Sequence, residues 1–207
     1  MRRHKQWIDR AGWAPVAMSA LLAAACGSTA DPPAPEGPIR PAGSQQALDS
    51  AVASLYDQWK ASYVAGDCGG NYVSAPGGVG SSEPTVTTSE SHGYGMVITA
   101  LMAGHDPQAQ GIFDGFYKVF RAFPSTFHAN LMAWAVGSGC VAISGPDSAT
   151  DGDLDIAYAL LLADKEWGSS GTINYLNEAK KVITDIKAGD FNVDFAPSRC
   201  RQAQQST

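Results

Sequence analysis

Basic side chains are scarce in this chain. Fourteen Lys and Arg stand against twenty Asp and Glu, and charged residues make up 16% of the 207 positions. The first 25 residues hold four of the basic side chains and a single aspartate, so the remainder carries a formal charge of −9 where the whole chain carries −6. A body this acidic repels phosphate backbones and anionic headgroups, which argues against nucleic acid as a partner and leaves neutral sugars acceptable. The spacing of Cys68, Cys140 and Cys200 fits no zinc pattern, and neither a metal nor a cofactor is expected. A long apolar run is also missing: the mostly apolar stretch from Trp13 to Ala25 is too short to span a bilayer comfortably. Sustained strand alternation is absent apart from a weak stretch near Pro84 to Thr88.

What is present begins with a leader. Arg2, Arg3, Lys5 and Arg10 precede the apolar stretch, and small residues precede Cys26, so residues 1–25 read as an export signal. The run L-L-A-A-A-C from Leu21 resembles a bacterial lipoprotein box, which would lipidate Cys26 and anchor the chain to a membrane; an ordinary cleaved signal is the alternative. The expected location is outside the cytoplasm, as a cell-envelope lipoprotein or a secreted protein. Residues 26–43 are Pro-rich without apolar periodicity and read as a tether. Residues 44–190 form the expected domain, and 191–207 an irregular tail. Export permits a disulfide; Cys68 and Cys140, both in Gly-rich turns, are the expected pair, and separate thiols at Cys68, Cys140 and Cys200 are the alternative.

Inside the domain the dominant period is helical. Leu48, Ala51, Val52, Leu55, Tyr56 and Trp59 recur at steps of three and four across Gln45 to Tyr63, the mark of an amphipathic outer helix. Tyr94 to Gly104 has almost no polar face and reads as an inner helix surrounded by protein. Pro107 to Ala122 is mixed again, Leu154 to Ala163 is apolar nearly all round, and Asn174 to Lys187 has one apolar side. Buried helices alternating with amphipathic ones predict an all-α fold of helical hairpins in two layers.

The chemistry gathers in two stretches, S-E-S-H-G-Y-G-M from Ser89 and A-T-D-G-D-L-D-I-A-Y-A-L-L-L-A-D-K-E-W from Ala149. Each sets a carboxylate among small residues at the mouth of an apolar helix. The alternating Asp151, Asp153 and Asp155 suggest a calcium loop, but its required Gly and Glu positions hold Ile156 and Leu162. Helix capping is the simpler expectation for Asp153 and Asp155, which leaves Asp151 for chemistry. Glu90 reads either as an exposed acid at a helix start or as a carboxyl kept protonated by burial, which is what a general acid requires.

The second stretch resembles, position for position, the signature of glycoside hydrolase family 8, and the first resembles that family's S-E-G-x-G-Y-G-M block. The resemblance implies an (α/α)6 barrel, a six-hairpin toroid, that hydrolyses β-1,4-linked glucan, xylan or chitosan with inversion. By resemblance Glu90 is the proton donor and Asp151 the second carboxylate, holding the sugar at the cleavage point. Trp134, in L-M-A-W, matches a family tryptophan that stacks on a sugar ring, and Tyr94 lies beside Glu90 in the motif. Ser91 departs from the family's Gly, which matters only where a positive φ is needed. Five helices are expected here where the barrel has twelve, so an incomplete, N-terminal part of the barrel is expected, with the inverting base supplied elsewhere and apolar helix sides left uncovered. A polysaccharide-binding lipoprotein without activity is the alternative function.

Overall fold

The computed structural model describes residues 41–75, 84–143 and 147–190. The leader, Cys26, the tether up to residue 40, the tail 191–207 and Cys200 lie outside the described residues. From Ala42 onward the described chain belongs to one unit.

Five α-helices carry it: α1 (Gln45–Tyr63), α2 (Ser89–Leu101), α3 (Ala109–Ala122), α4 (Thr150–Trp167) and α5 (Tyr175–Asp185), the last running into a π-helical turn, Ile186–Asp190. The inner pair, α2 and α4, pack side by side; α3 lies against α2 and α5 against α4. Met96 from α2, Phe113, Phe116 and Phe120 from α3, Ile156 and Leu160 from α4 and Val182 from α5 fill the core between the layers, each essentially without solvent exposure. The hairpin layering expected from the sequence is present.

Short strands stitch the loops. β1 (Val64–Ala65) pairs antiparallel with β2 (Tyr72–Val73), and β3 (Thr85–Thr88), β4 (Ala135–Gly137) and β5 (Val141–Ile143) form an antiparallel sheet in that order. Only β3 was foreshadowed by sequence, because a strand of two or three residues is too short to show alternation. β3 matters most: it runs straight into α2, and its last residue, Thr88, pairs with Ala135 of β4.

Three expectations need correction. The first inner helix starts at Ser89 rather than Tyr94, because Thr88 caps it. The Thr88 hydroxyl accepts the Ser91 N–H at 3.2 Å, and the Ser91 hydroxyl accepts the Thr88 N–H at 3.0 Å, a reciprocal capping box. Second, the inner helices are not surrounded by protein on every side as their apolar pattern suggests, but are open on one side as an incomplete barrel implies. Tyr94 and Leu101 on α2, and Leu154, Tyr158 and Leu161 on α4, stand exposed. Third, α1 buries only Tyr56 of its apolar face, leaving Leu55 66% exposed. Polar chemistry holds α1 instead: the Tyr56 hydroxyl and the Lys60 ammonium both donate to buried Asp106, at 2.6 and 2.7 Å.

Cys68 and Cys140 form a disulfide across 72 residues, with Cα atoms 5.4 Å apart. Cys140 has φ +58°, a left-handed conformation that residues with a side chain adopt at a cost. The bridge ties the β1–β2 turn to the β4–β5 turn. On chain-entropy grounds, closing a loop of that size stabilises the fold by roughly 4 kcal/mol. The double variant Cys68→Ser/Cys140→Ser is therefore expected to unfold at markedly lower denaturant than the parent, and reduction of the parent should reproduce that shift. Coincident unfolding curves would show that the bridge constrains nothing.

Candidate active site

The site is built where the first turns of α2 and α4 meet, and two glycines let them meet. A Cβ on Gly93 would lie 2.7 Å from the Asp155 Cβ and 3.0 Å from the Gly152 carbonyl oxygen. A Cβ on Gly152 would lie 2.5 Å from both the carbonyl carbon and the hydroxyl of Ser89, and 2.7 Å from the Glu90 nitrogen. No larger residue fits either place without pushing the helices apart. Backbone therefore touches backbone between Ser89–Glu90 and Gly152, at Glu90 itself and one residue from Asp151.

Glu90 and Asp151 are both exposed at this junction. Asp151 Oδ1 accepts the Gly152 N–H at 2.9 Å. Tyr94, one turn beyond Glu90 on α2, is 51% exposed. The charge of Glu90 first, then that of Asp155, with a hydrogen bond to Glu90 and the charge of Asp151 adding to it, holds the Tyr94 phenol above its ordinary range. One tyrosine thus senses three carboxylates, which places Glu90, Asp151 and Asp155 in one electrostatic neighbourhood. None of the ion pairs among the described residues includes any of the three.

The burial proposed for Glu90 falls on Asp155. That carboxyl is half-buried against Gly93, and desolvation first, then the charges of Asp151 and Glu90, raise its pKa above the ordinary 3.8. The expected capping role is thereby corrected for Asp155, and equally for Asp153. The N-cap of α4 is Ala149, with no side-chain cap bond; Asp153 points into the core, 0% exposed, and accepts the Met132 N–H at 3.0 Å. The signal for Asp155 was available in the sequence, since residues four apart share a helix face and Asp155 follows Asp151 by four.

Trp134 stands immediately before β4, half-buried. Its carbonyl accepts the Ser89 N–H at 2.9 Å, an otherwise unpartnered donor at the start of α2, and its own N–H donates to the Asp147 carbonyl at 2.7 Å. Trp134 and Glu90 are therefore neighbours through backbone, though 44 positions apart in sequence. An apolar hollow of about 250 Å³ lies along α2, lined by Trp59, Val73, Ser91, Tyr94, Val97 and Ile98. Ser91 lies within α2 without a positive φ, so its replacement of Gly strains nothing, and its hydroxyl completes the cap. His92, between Glu90 and Gly93, turns the other way into the core: Nε2 donates to the Phe116 carbonyl at 2.8 Å, and burial lowers its pKa to about 4, so it is neutral and structural.

Paired helices in two layers, with acids at the mouths of the inner pair and an aromatic beside them, are the arrangement of an incomplete helical barrel. The family profile described as glycosyl hydrolases family 8 matches residues 42–191, and the chain belongs to that family. It is 52% identical over 154 residues to an endoglucanase of Bacillus sp. (strain KSM-330), covering 71% of this chain and 33% of the relative. It is 48% identical over 149 residues to a beta-glucanase of Niallia circulans, covering 72% and 35%. The solved beta-1,3-1,4-glucanase of Paenibacillus sp. X4 superposes with a TM-score of 0.69 at 47% identity, over 75% of this chain and 40% of that one. The chain spans about a third of the length of the curated relatives it matches.

Asp155 supplies a test of this electrostatic picture. A carboxyl whose pKa is raised on folding binds more protons folded than unfolded between its ordinary and its raised value, so stability falls as pH rises through that window. Above the window the charged form destabilises the fold in full. Asp155→Asn is therefore expected to melt higher than the parent at pH 7, with the gain shrinking as pH is lowered toward 3.8. Thermal melts followed by circular dichroism at the two pH values check it; a variant that melts lower at pH 7 would refute the assigned environment.

Proposed function

We propose that this chain carries the acid half of an inverting β-1,4-glucan hydrolase. Glu90 gives its proton to the bridging oxygen as the bond from the anomeric carbon to that oxygen breaks. Water adds to the opposite face of the same carbon and yields its proton to a base on that side, for which an inverting enzyme keeps its two carboxyls about 6.5–9.5 Å apart. Asp151 holds the sugar whose ring distorts at the cleavage point, and Trp134 and Tyr94 cover the apolar C–H faces of neighbouring rings. The observation that carries this reading is the junction of α2 and α4, where Glu90, Asp151 and the backbone of Trp134 converge around two glycines. The glucanase and endoglucanase relatives, at about half identity, favour β-glucan over xylan or chitosan as the substrate.

Release of reducing ends from barley β-glucan, measured for the chain and for Glu90→Gln, tests the assignment. The variant is expected to lose all release that the parent shows. Equal turnover by parent and variant would overturn the role of Glu90, and binding to β-glucan without any release would instead support the polysaccharide-binding reading.

We infer also that the chain is exported. A disulfide joining two loops persists outside the reducing cytoplasm, which supports the leader read at residues 1–25 and leaves Cys26 as the candidate membrane attachment. Mass spectrometry of the mature N-terminus is expected to find a cleaved chain, with a lipid-modified Cys26 in the anchored case. An intact Met1 would refute export.

A further inference from the structure

We propose that Asp153 is a positioning residue for the sugar platform: its carboxylate, acting through the Met132 amide, fixes where Trp134 stands relative to Glu90 and Asp151. The inference rests on the reading of Trp134 as a sugar-stacking residue and adds to it the group that holds that residue in place.

Successive helix positions turn by about 100°, so Asp153 leaves α4 on nearly the opposite side from Asp151. Asp151 faces solvent, and Asp153 is fully enclosed. Enclosing a carboxylate is unfavourable unless it is well partnered, and a core that needed only filling would be better served by an apolar side chain of similar volume. The position of its partner supplies a reason for a carboxylate there. Met132, Ala133 and Trp134 each donate their N–H to a different part of the fold: Met132 to Asp153 Oδ1 at 3.0 Å, Ala133 to the Phe123 carbonyl at 2.8 Å, and Trp134 to the Asp147 carbonyl at 2.7 Å. The Trp134 carbonyl then receives the Ser89 N–H at 2.9 Å. This short segment is thus a clasp between α4, which bears Asp151, and α2, which bears Glu90. Of the three acceptors on its donor side, the Asp153 oxygen alone belongs to a side chain. It is also the acceptor that springs from the helix carrying Asp151.

Removing the acceptor leaves a buried N–H unpaired two residues before Trp134, which frees the segment to shift. The experiment uses the full chain labelled with 5-fluorotryptophan, the Trp134 line being assigned by Trp134→Phe, together with calorimetric binding of cellopentaose. Asp153→Ala is expected to move the Trp134 fluorine line and to weaken cellopentaose binding about tenfold. Asp153→Asn, which retains an acceptor oxygen, should keep the line in place and the affinity within about twofold. In a Trp134→Ala background, Asp153→Ala should weaken binding no further. A purely structural role would lower stability without this dependence on Trp134.

An unmoved fluorine line in Asp153→Ala, or an equal loss of binding with and without Trp134, would overturn the proposal. Should Asp153→Ala fail to fold, Asp153→Asn decides: a Trp134 line at the parent position supports the proposal, and a displaced one sinks it. Absence of cellopentaose binding by the parent would count against the sugar-binding function, while the fluorine line would still decide the positioning.

Discussion

The contact between Gly93 and Gly152 sets the geometry on which the rest of this molecule depends. Helices normally keep their axes 8–10 Å apart because side chains separate them. Here a bare backbone on each side removes that spacing at the first turns, so Ser89 and Glu90 lie directly on Gly152. Two acids that would otherwise sit a side chain further apart are brought to one junction, on rigid helical supports rather than on loops. The same closeness has an electrostatic consequence: Asp155 is pressed against Gly93 beside two other carboxylates, and its charge is disfavoured there. Such local instability is common where reacting groups are assembled, since what suits the chemistry seldom suits the fold.

Around that junction the molecule divides into a well-packed interior and open apolar faces. The interior between α2, α3, α4 and α5 is filled with aromatic rings, including the edge-on contact of His92 with Phe116, 5.3 Å between centroids. The exposed faces of α2 and α4, and most of the apolar side of α1, have no covering element among the described residues. Substantial apolar surface on parallel inner helices is what a layered helical barrel presents at an edge where another hairpin would pack, and it agrees with a chain that matches only about a third of its relatives' length. The disulfide and the Asp106 cluster hold the outer parts of the fold without help from that surface.

Much of this was legible in the sequence. The first helix and the hairpin order follow from apolar period, which is a local property, and Cys68 with Cys140 was the expected pair, against separate thiols, because both lie in Gly-rich turns. The site was legible through its two motifs, whose small residues now have a physical reason in Gly93 and Gly152. What the sequence concealed was tertiary. Exposure of the α1 face could not be read from its period, since a period says which side is apolar and not whether anything covers it. The early start of α2 hung on one capping pair, Thr88 with Ser91, in a stretch whose first apolar residues come later.

The three alternating aspartates show most plainly how a pattern acquires meaning from the element that carries it. On a strand or in a metal-binding loop, residues at every second position present their side chains together, which is why Asp151, Asp153 and Asp155 suggest a calcium site. On a helix, steps of about 100° set the second of them roughly 160° away from each of the other two, and leave the third about 40° from the first. Asp151 and Asp155 therefore share the face toward Glu90, one at the surface and one a turn deeper, while Asp153 is driven through the helix into the core. A single spacing thus sorts three identical side chains into three environments. The two glycines fix how closely α4 approaches α2, and the rotation of α4 about its own axis decides which of the three aspartates face that contact and which is turned away from it.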